Sequence, residues 1–134
     1  MTKTYSNELQ QALINTSVID GKTKAYQATI TLAAQASADT IVIAKALQGE
    51  KFVAGIITTD TSLATATVKI GNKDDDDKYK AAAVFTATNT PTLFGNAAAM
   101  AALAADEEIF ITVGTAALPG SGTLKVTMLF AVNN

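Results

Sequence analysis

From Lys24 onward the chain alternates apolar and polar residues with a period of two. Tyr26, Ala28, Ile30 and Leu32 fall on one side and Gln27, Thr29 and Thr31 on the other, the pattern of a strand with one buried face. Residues 40–47 and 52–59 are apolar on both faces, which predicts strands covered from both sides. Gly55 within the second run predicts a bulge or a close backbone approach. Residues 65–70 alternate again, with Ala66, Val68 and Ile70 opposed to Thr65, Thr67 and Lys69. A partner segment follows, in which Tyr79, Ala81, Ala83 and Phe85 share one face. The two segments predict a hairpin whose tip, residues 71–78, holds four consecutive aspartates.

Beyond the hairpin, Thr88–Thr92 reads as a loop and Leu93–Gly95 as a short extended piece. Asn96 is a suitable N-cap for the alanine-rich residues 97–105, because alanine has the highest helix propensity. So short a helix needs tertiary support, which predicts that Met100 and Leu103 or Ala104 pack on a sheet edge. Residues 108–114 read as a strand, 118–122 as a turn, and 123–132 as the clearest strand, with Leu124, Val126, Met128, Phe130 and Val132 on one face. Seven or eight strands separated by turns, one short helix and no βαβ unit predict an all-β fold: an antiparallel two-sheet β-sandwich, with the jelly roll among its possible forms. Residues 1–22 are a polar N-terminal arm, and residues 23–134 are the sandwich domain.

The arm carries Tyr5, Leu9, Leu13, Ile14, Val18 and Ile19. Five aliphatics are many for a free tail, so the arm is expected to order against a neighbouring subunit or another partner. The alternatives are a disordered leader and a strand tucked into the same domain. The segment has no apolar stretch of signal-peptide type, and no run reaches the roughly 18–20 apolar residues of a membrane span. The expectation is a protein made soluble in its host's cytoplasm, with no membrane partner.

Composition changes this picture in two ways. Alanine and threonine make up about a third of the chain, and small side chains limit the apolar area that one subunit can bury, which favours a homo-oligomer. The chain also has no Cys, no His and no Trp. This excludes disulfides, thiolate nucleophiles and imidazole bases or ligands, and it weakens any stacking platform. Formal charge is −2, with ten scattered basic residues, so there is no footprint for nucleic acid.

The densest set of potential ligands is Asp74, Asp75, Asp76 and Asp77. Calcium loops interleave their carboxylates and close with a distant glutamate, whereas a contiguous run sends its side chains in different directions. These four predict an exposed acidic loop and no metal. With Lys78 they also match an enteropeptidase recognition sequence, which predicts protease access. Asp106, Glu107 and Glu108 could form a glycosidase-type carboxylate pair, but without an aromatic platform they read as a charged turn. No cofactor and no enzymatic activity are expected.

Residues 56–71, the segment 77–85, Glu107-Glu-Ile-Phe-Ile-Thr-Val-Gly114 and Leu118-Pro-Gly-Ser-Gly-Thr-Leu124 before a final strand together resemble the capsid decoration, or cement, proteins of tailed double-stranded DNA bacteriophages. The resemblance implies a β-sandwich subunit, commonly a homotrimer, on the outer capsid surface of the virion, bridging copies of the major capsid protein. A fibre or adhesin-type module binding a cell-surface glycan is the alternative.

Overall fold

The computed structural model describes residues 22–132. Eight strands follow in order: β1 (Lys22–Thr31), β2 (Thr40–Ala46), β3 (Lys51–Thr59), β4 (Thr67–Gly71), β5 (Lys80–Val84), β6 (Thr92–Phe94), β7 (Glu107–Gly114) and β8 (Thr123–Val132). They form two four-stranded sheets with the orders β1-β8-β3-β6 and β2-β7-β4-β5. All pairings are antiparallel. The pairs β1·β8, β2·β7, β3·β6 and β4·β5 nest inside one another, so the chain is one long hairpin rolled across two sheets. This is the jelly-roll form of the expected sandwich. The central hairpin, β4 and β5, is the innermost fold of the roll.

The core lies between the sheets, where every second side chain points inward. Leu124, Val126, Met128 and Phe130 of β8 meet Ile109, Ile111 and Val113 of β7, and all are buried. Phe52, Tyr79 and Phe130 form edge-to-face pairs with ring centroids 5.0–6.2 Å apart, favourable beyond the area they bury.

Strands β2 and β3 are not covered on both faces. Each contains a bulge, at Val42/Ala44 and Phe52/Ala54 respectively, and the extra residue reverses the inward set partway along the strand. A reversed alternation reads in sequence as an apolar run. Phe52, Gly55 and Ile57 point inward, whereas Val53 is exposed and Ala54 and Ile56 are half-buried. The expected close approach at Gly55 occurs: a Cβ there would collide with the Phe94 ring lying over it.

The alanine-rich helix shrinks to a single 3₁₀ turn, Ala97–Ala99. Asn96 does cap it, its side-chain oxygen accepting from the Ala98 N–H at 3.1 Å. The chain then leaves the helical path because its backbone pairs elsewhere: Leu103 N–H donates to the Glu50 carbonyl at 3.0 Å, and the Leu103 carbonyl accepts from Gly49 N–H at 2.8 Å. Ala102 bridges to Lys51. Tertiary hydrogen bonds replace a helix too short to offset its own nucleation. Leu103 is buried as expected, whereas Met100 is 47% exposed.

All connections gather at two ends. One end holds the start of β1, the end of β8, the β2–β3 turn, the acidic hairpin loop and the alanine-rich connection. The opposite end holds the other four loops and, among the described residues, all five non-glycine residues with positive φ: Ala34, Ala38, Ala64, Asn89 and Thr115.

Candidate functional site

The acidic loop closes β4 onto β5 through Asn72. Its side-chain oxygen accepts from the N–H groups of Asp74 at 2.9 Å and Asp75 at 2.7 Å, and its N–H donates to the Asp75 carbonyl at 3.0 Å. The loop folds back so closely over Gly71 that a Cβ there would strike the backbone of Asp75 and Asp76. The four aspartates are exposed. The turn also overrides the divergence expected of a contiguous run, since oxygens of Asp75, Asp76 and Asp77 lie within 4.8 Å of one another. Lys69 pairs with Asp76 at 2.7 Å. Asp77 is pushed above the usual carboxylate range by its hydrogen bond to Asp75 and the charges beside it. Among the described residues, Lys69 is the cation that pairs with this cluster.

Beneath the loop sits Glu107, a residue the sequence placed only in a charged turn. Its carboxylate accepts from Lys78 Nζ at 2.8 Å, from Asn72 Nδ2 at 2.6 Å and from the Tyr79 hydroxyl. Burial opposes its charge, but the hydrogen bonds from Lys78, Tyr79 and Asn72 outweigh it and hold the carboxyl below its ordinary value. Burial, then the carboxylate beside it, pushes the Tyr79 hydroxyl far up. Asp106 and Glu108 point elsewhere: Asp106 accepts from Gln48 N–H at 2.8 Å, and Glu108 pairs with Lys45 at 3.9 Å. These three acidic neighbours therefore have separate partners, in the acidic loop, the β2–β3 turn and strand β2.

A buried carboxylate, Glu50, stands at the same end. It accepts from the Tyr26 hydroxyl at 2.6 Å and from Leu47 N–H at 2.8 Å, and pairs with Lys24 at 3.5 Å. Burial again opposes its charge, and the hydrogen bonds win and lower its pKa. Nothing in the sequence near Glu50 signals this, because Tyr26 is distant in the chain and meets it only across the fold.

The outer face of the β1-β8-β3-β6 sheet carries an apolar patch. The register sets Ala25, Leu129 and Ala54 in one row, and Gln27, Thr127, Ile56 and Leu93 in the next. Leu93 is 75% exposed and Val53 is 43% exposed. The strands of this sheet carry Lys51 and Lys125 on that side and no carboxylate. The described acidic residues lie in loops, in the turn at Glu50 and on β7. The outer face of this sheet therefore combines apolar area with positive charge, whereas the other sheet carries exposed Val42 and Val84 together with the β7 carboxylates. Tyr5, Leu9, Leu13, Ile14, Val18 and Ile19 lie outside the described residues.

The class defined by this architecture is a two-sheet jelly-roll sandwich. No protein-family model matches the sequence, and no curated protein matches it. Among solved structures, the chain is similar to a chain of the cyanophage Pam1 capsid asymmetric unit, at 13% identity and a TM-score of 0.72, covering 87% of this chain and 89% of that one. It is also similar to a chain in the capsid of Ralstonia phage GP4, at 15% identity, TM-score 0.65 and 88% coverage of both. A third is a chain in the capsid of Helicobacter pylori bacteriophage KHP30, at 11% identity, TM-score 0.61, covering 84% of this chain and 89% of that one. Such identities establish a shared fold. Near-equal coverage on both sides makes each neighbour about as long as this chain.

Proposed function

We propose that this protein is a structural component of a bacteriophage virion, binding the outer surface of the head and stabilising the shell of the major capsid protein. The observation that carries the reading is the fold match across nearly the whole length of three similarly sized capsid chains. The apolar, carboxylate-free outer face of the β1-β8-β3-β6 sheet is the contact surface, and the acidic hairpin loop points away from the shell. Such an arrangement strengthens a shell by repetition, because many copies each cover a modest junction and their contributions sum. A homotrimer fits this role: cyclic symmetry closes an interface that small side chains leave weak in one subunit.

Co-sedimentation with heads lacking the protein tests the reading. The wild-type chain is expected to pellet with them, and Ile56→Lys with Leu93→Asp to remain in the supernatant while still folded. Wild-type protein left in the supernatant would count against a capsid role. A glycan-array signal dependent on exposed loop residues would point instead to an adhesin.

A further inference from the structure

The two sheets end in four edge strands, β1, β6, β2 and β5. Three of them are blunted against pairing with another chain. Strand β6 is three residues long and follows Pro91. Strand β5 has five residues and an extra residue opposite Val68/Ile70. Strand β2 is interrupted by its bulge at Val42/Ala44. Strand β1, in contrast, runs for ten residues, pairs with β8 without a register shift and contains no proline. Among the described residues nothing pairs with its other side.

Hydrogen bonding fixes which groups that side presents. Leu32 N–H donates to the Gly122 carbonyl at 2.9 Å. With the unshifted register, the even-numbered residues of β1 therefore turn their N–H and C=O toward β8, and the odd-numbered ones turn theirs outward. At the far end the Gln35 side chain already holds two of the outward groups. Its Nε2 donates to the Thr31 carbonyl at 3.0 Å, and its Oε1 accepts from Ala33 N–H at 2.9 Å. The outward groups of Thr23, Ala25, Gln27 and Thr29 have no such partner among the described residues, and the middle of this set is Tyr26. We propose that a second copy of this chain occupies the edge, its own β1 running antiparallel about a two-fold axis at Tyr26. Thr23 then pairs with the partner's Thr29, and Ala25 with the partner's Gln27, so that all of these groups are bonded. Charge favours the same alignment: Lys22 and Lys24 fall opposite the partner's Ile30 and Ala28, whereas a parallel copy in register would set lysine against lysine. The contact joins the two β1-β8-β3-β6 sheets into one. The row of Ala25, Leu129 and Ala54 runs on into the partner's row of Gln27, Thr127, Ile56 and Leu93, and the two apolar outer faces merge. This is a two-fold contact, separate from the cyclic interface of a trimer, and it does not depend on what the sandwich binds.

The protein has no cysteine, so a disulfide can report the pairing directly. Ala25 and the partner's Gln27 would form a hydrogen-bonded pair with Cα atoms about 5.5 Å apart, inside the range a disulfide spans. Both positions are exposed, so replacing them should not disturb the core. Chains carrying Ala25→Cys and chains carrying Gln27→Cys, mixed under reducing conditions and then oxidised, are expected to form a mixed disulfide dimer, seen by mass spectrometry and non-reducing electrophoresis. Either variant alone should cross-link far less, as should Thr23→Cys mixed with Gln27→Cys, two residues off register. Equal cross-linking in every case, or none in the first mixture, would overturn the proposal. Amide exchange in the wild-type chain gives a second readout. The amides of Thr23, Ala25, Gln27 and Thr29 should exchange roughly tenfold or more faster once dilution has separated the copies, with those of β7 unchanged. Protection that survives in a chain shown by light scattering to be a monomer would put another part of the same chain on this edge, and would also overturn the proposal.

Discussion

At the residue scale, the acidic tip is held by its neighbours more than by its aspartates. Replacing Asp74–Asp77 with serine removes exposed, mutually repelling charges and one ion pair to Lys69, so stability should change by no more than about 1 kcal/mol. Asn72→Ala removes the acceptor for two loop N–H groups and a donor to Glu107. It should cost about 1–2 kcal/mol in urea unfolding. Thr115 is a β-branched residue held at φ 68°, where its side chain is strained. Thr115→Asn should raise stability by about 0.5–1 kcal/mol, read as a higher urea midpoint at unchanged slope. The aspartate run was legible in sequence. The roles of Asn72 and Glu107 were not, because they depend on bonds between β4, β5 and β7.

At the element scale, the hairpin between β4 and β5 was predictable from alternation, and its acidic tip from hydration. The protease access that its Asp-Asp-Asp-Asp-Lys sequence suggests meets a different environment in the fold. Lys78 is tied to Glu107 at 2.8 Å, its N–H donates to the Asp75 carbonyl, and Tyr79 is fully buried. A protease must bind the scissile segment extended, which means pulling Tyr79 from the core. The folded protein should resist enteropeptidase under conditions that cleave the urea-unfolded chain after Lys78, as electrophoresis would show. Glu107→Ala, by releasing Lys78 and Tyr79, should speed cleavage. Propensity erred at residues 97–105 for a related reason: alanine favours helix locally, but Gly49 and Glu50 supplied better partners to this backbone.

At the scale of the whole molecule, two carboxylates, the buried Glu50 and the half-buried Glu107, stand at one end of the sandwich with pKa values lowered from an ordinary 4.5. A carboxyl with a depressed folded-state pKa binds fewer protons folded than unfolded. Its stabilising contribution is therefore complete above about pH 4.5 and is lost as pH falls through the lower, folded-state values. Thermal unfolding midpoints should be flat from neutral pH down to about 5 and fall below 4.5. Glu107→Gln should lower the neutral-pH midpoint and reduce the drop on acidification. The same scale decides the surface: only the assembled register puts Ala54, Ile56, Leu93 and Leu129 side by side as one apolar face.

The sequence by itself determined the all-β class, the number and approximate limits of the strands, the hairpin at the centre and the absence of thiol and imidazole chemistry. These follow from side-chain period and residue type, which act over a few neighbouring positions. The tertiary structure decided the jelly-roll order, the bulges that made β2 and β3 look doubly buried, and the fate of the alanine-rich segment. It also decided the placement of Glu50 and Glu107. Each of these depends on partners distant in the chain, whose backbone hydrogen bonds and packing outweigh local preference.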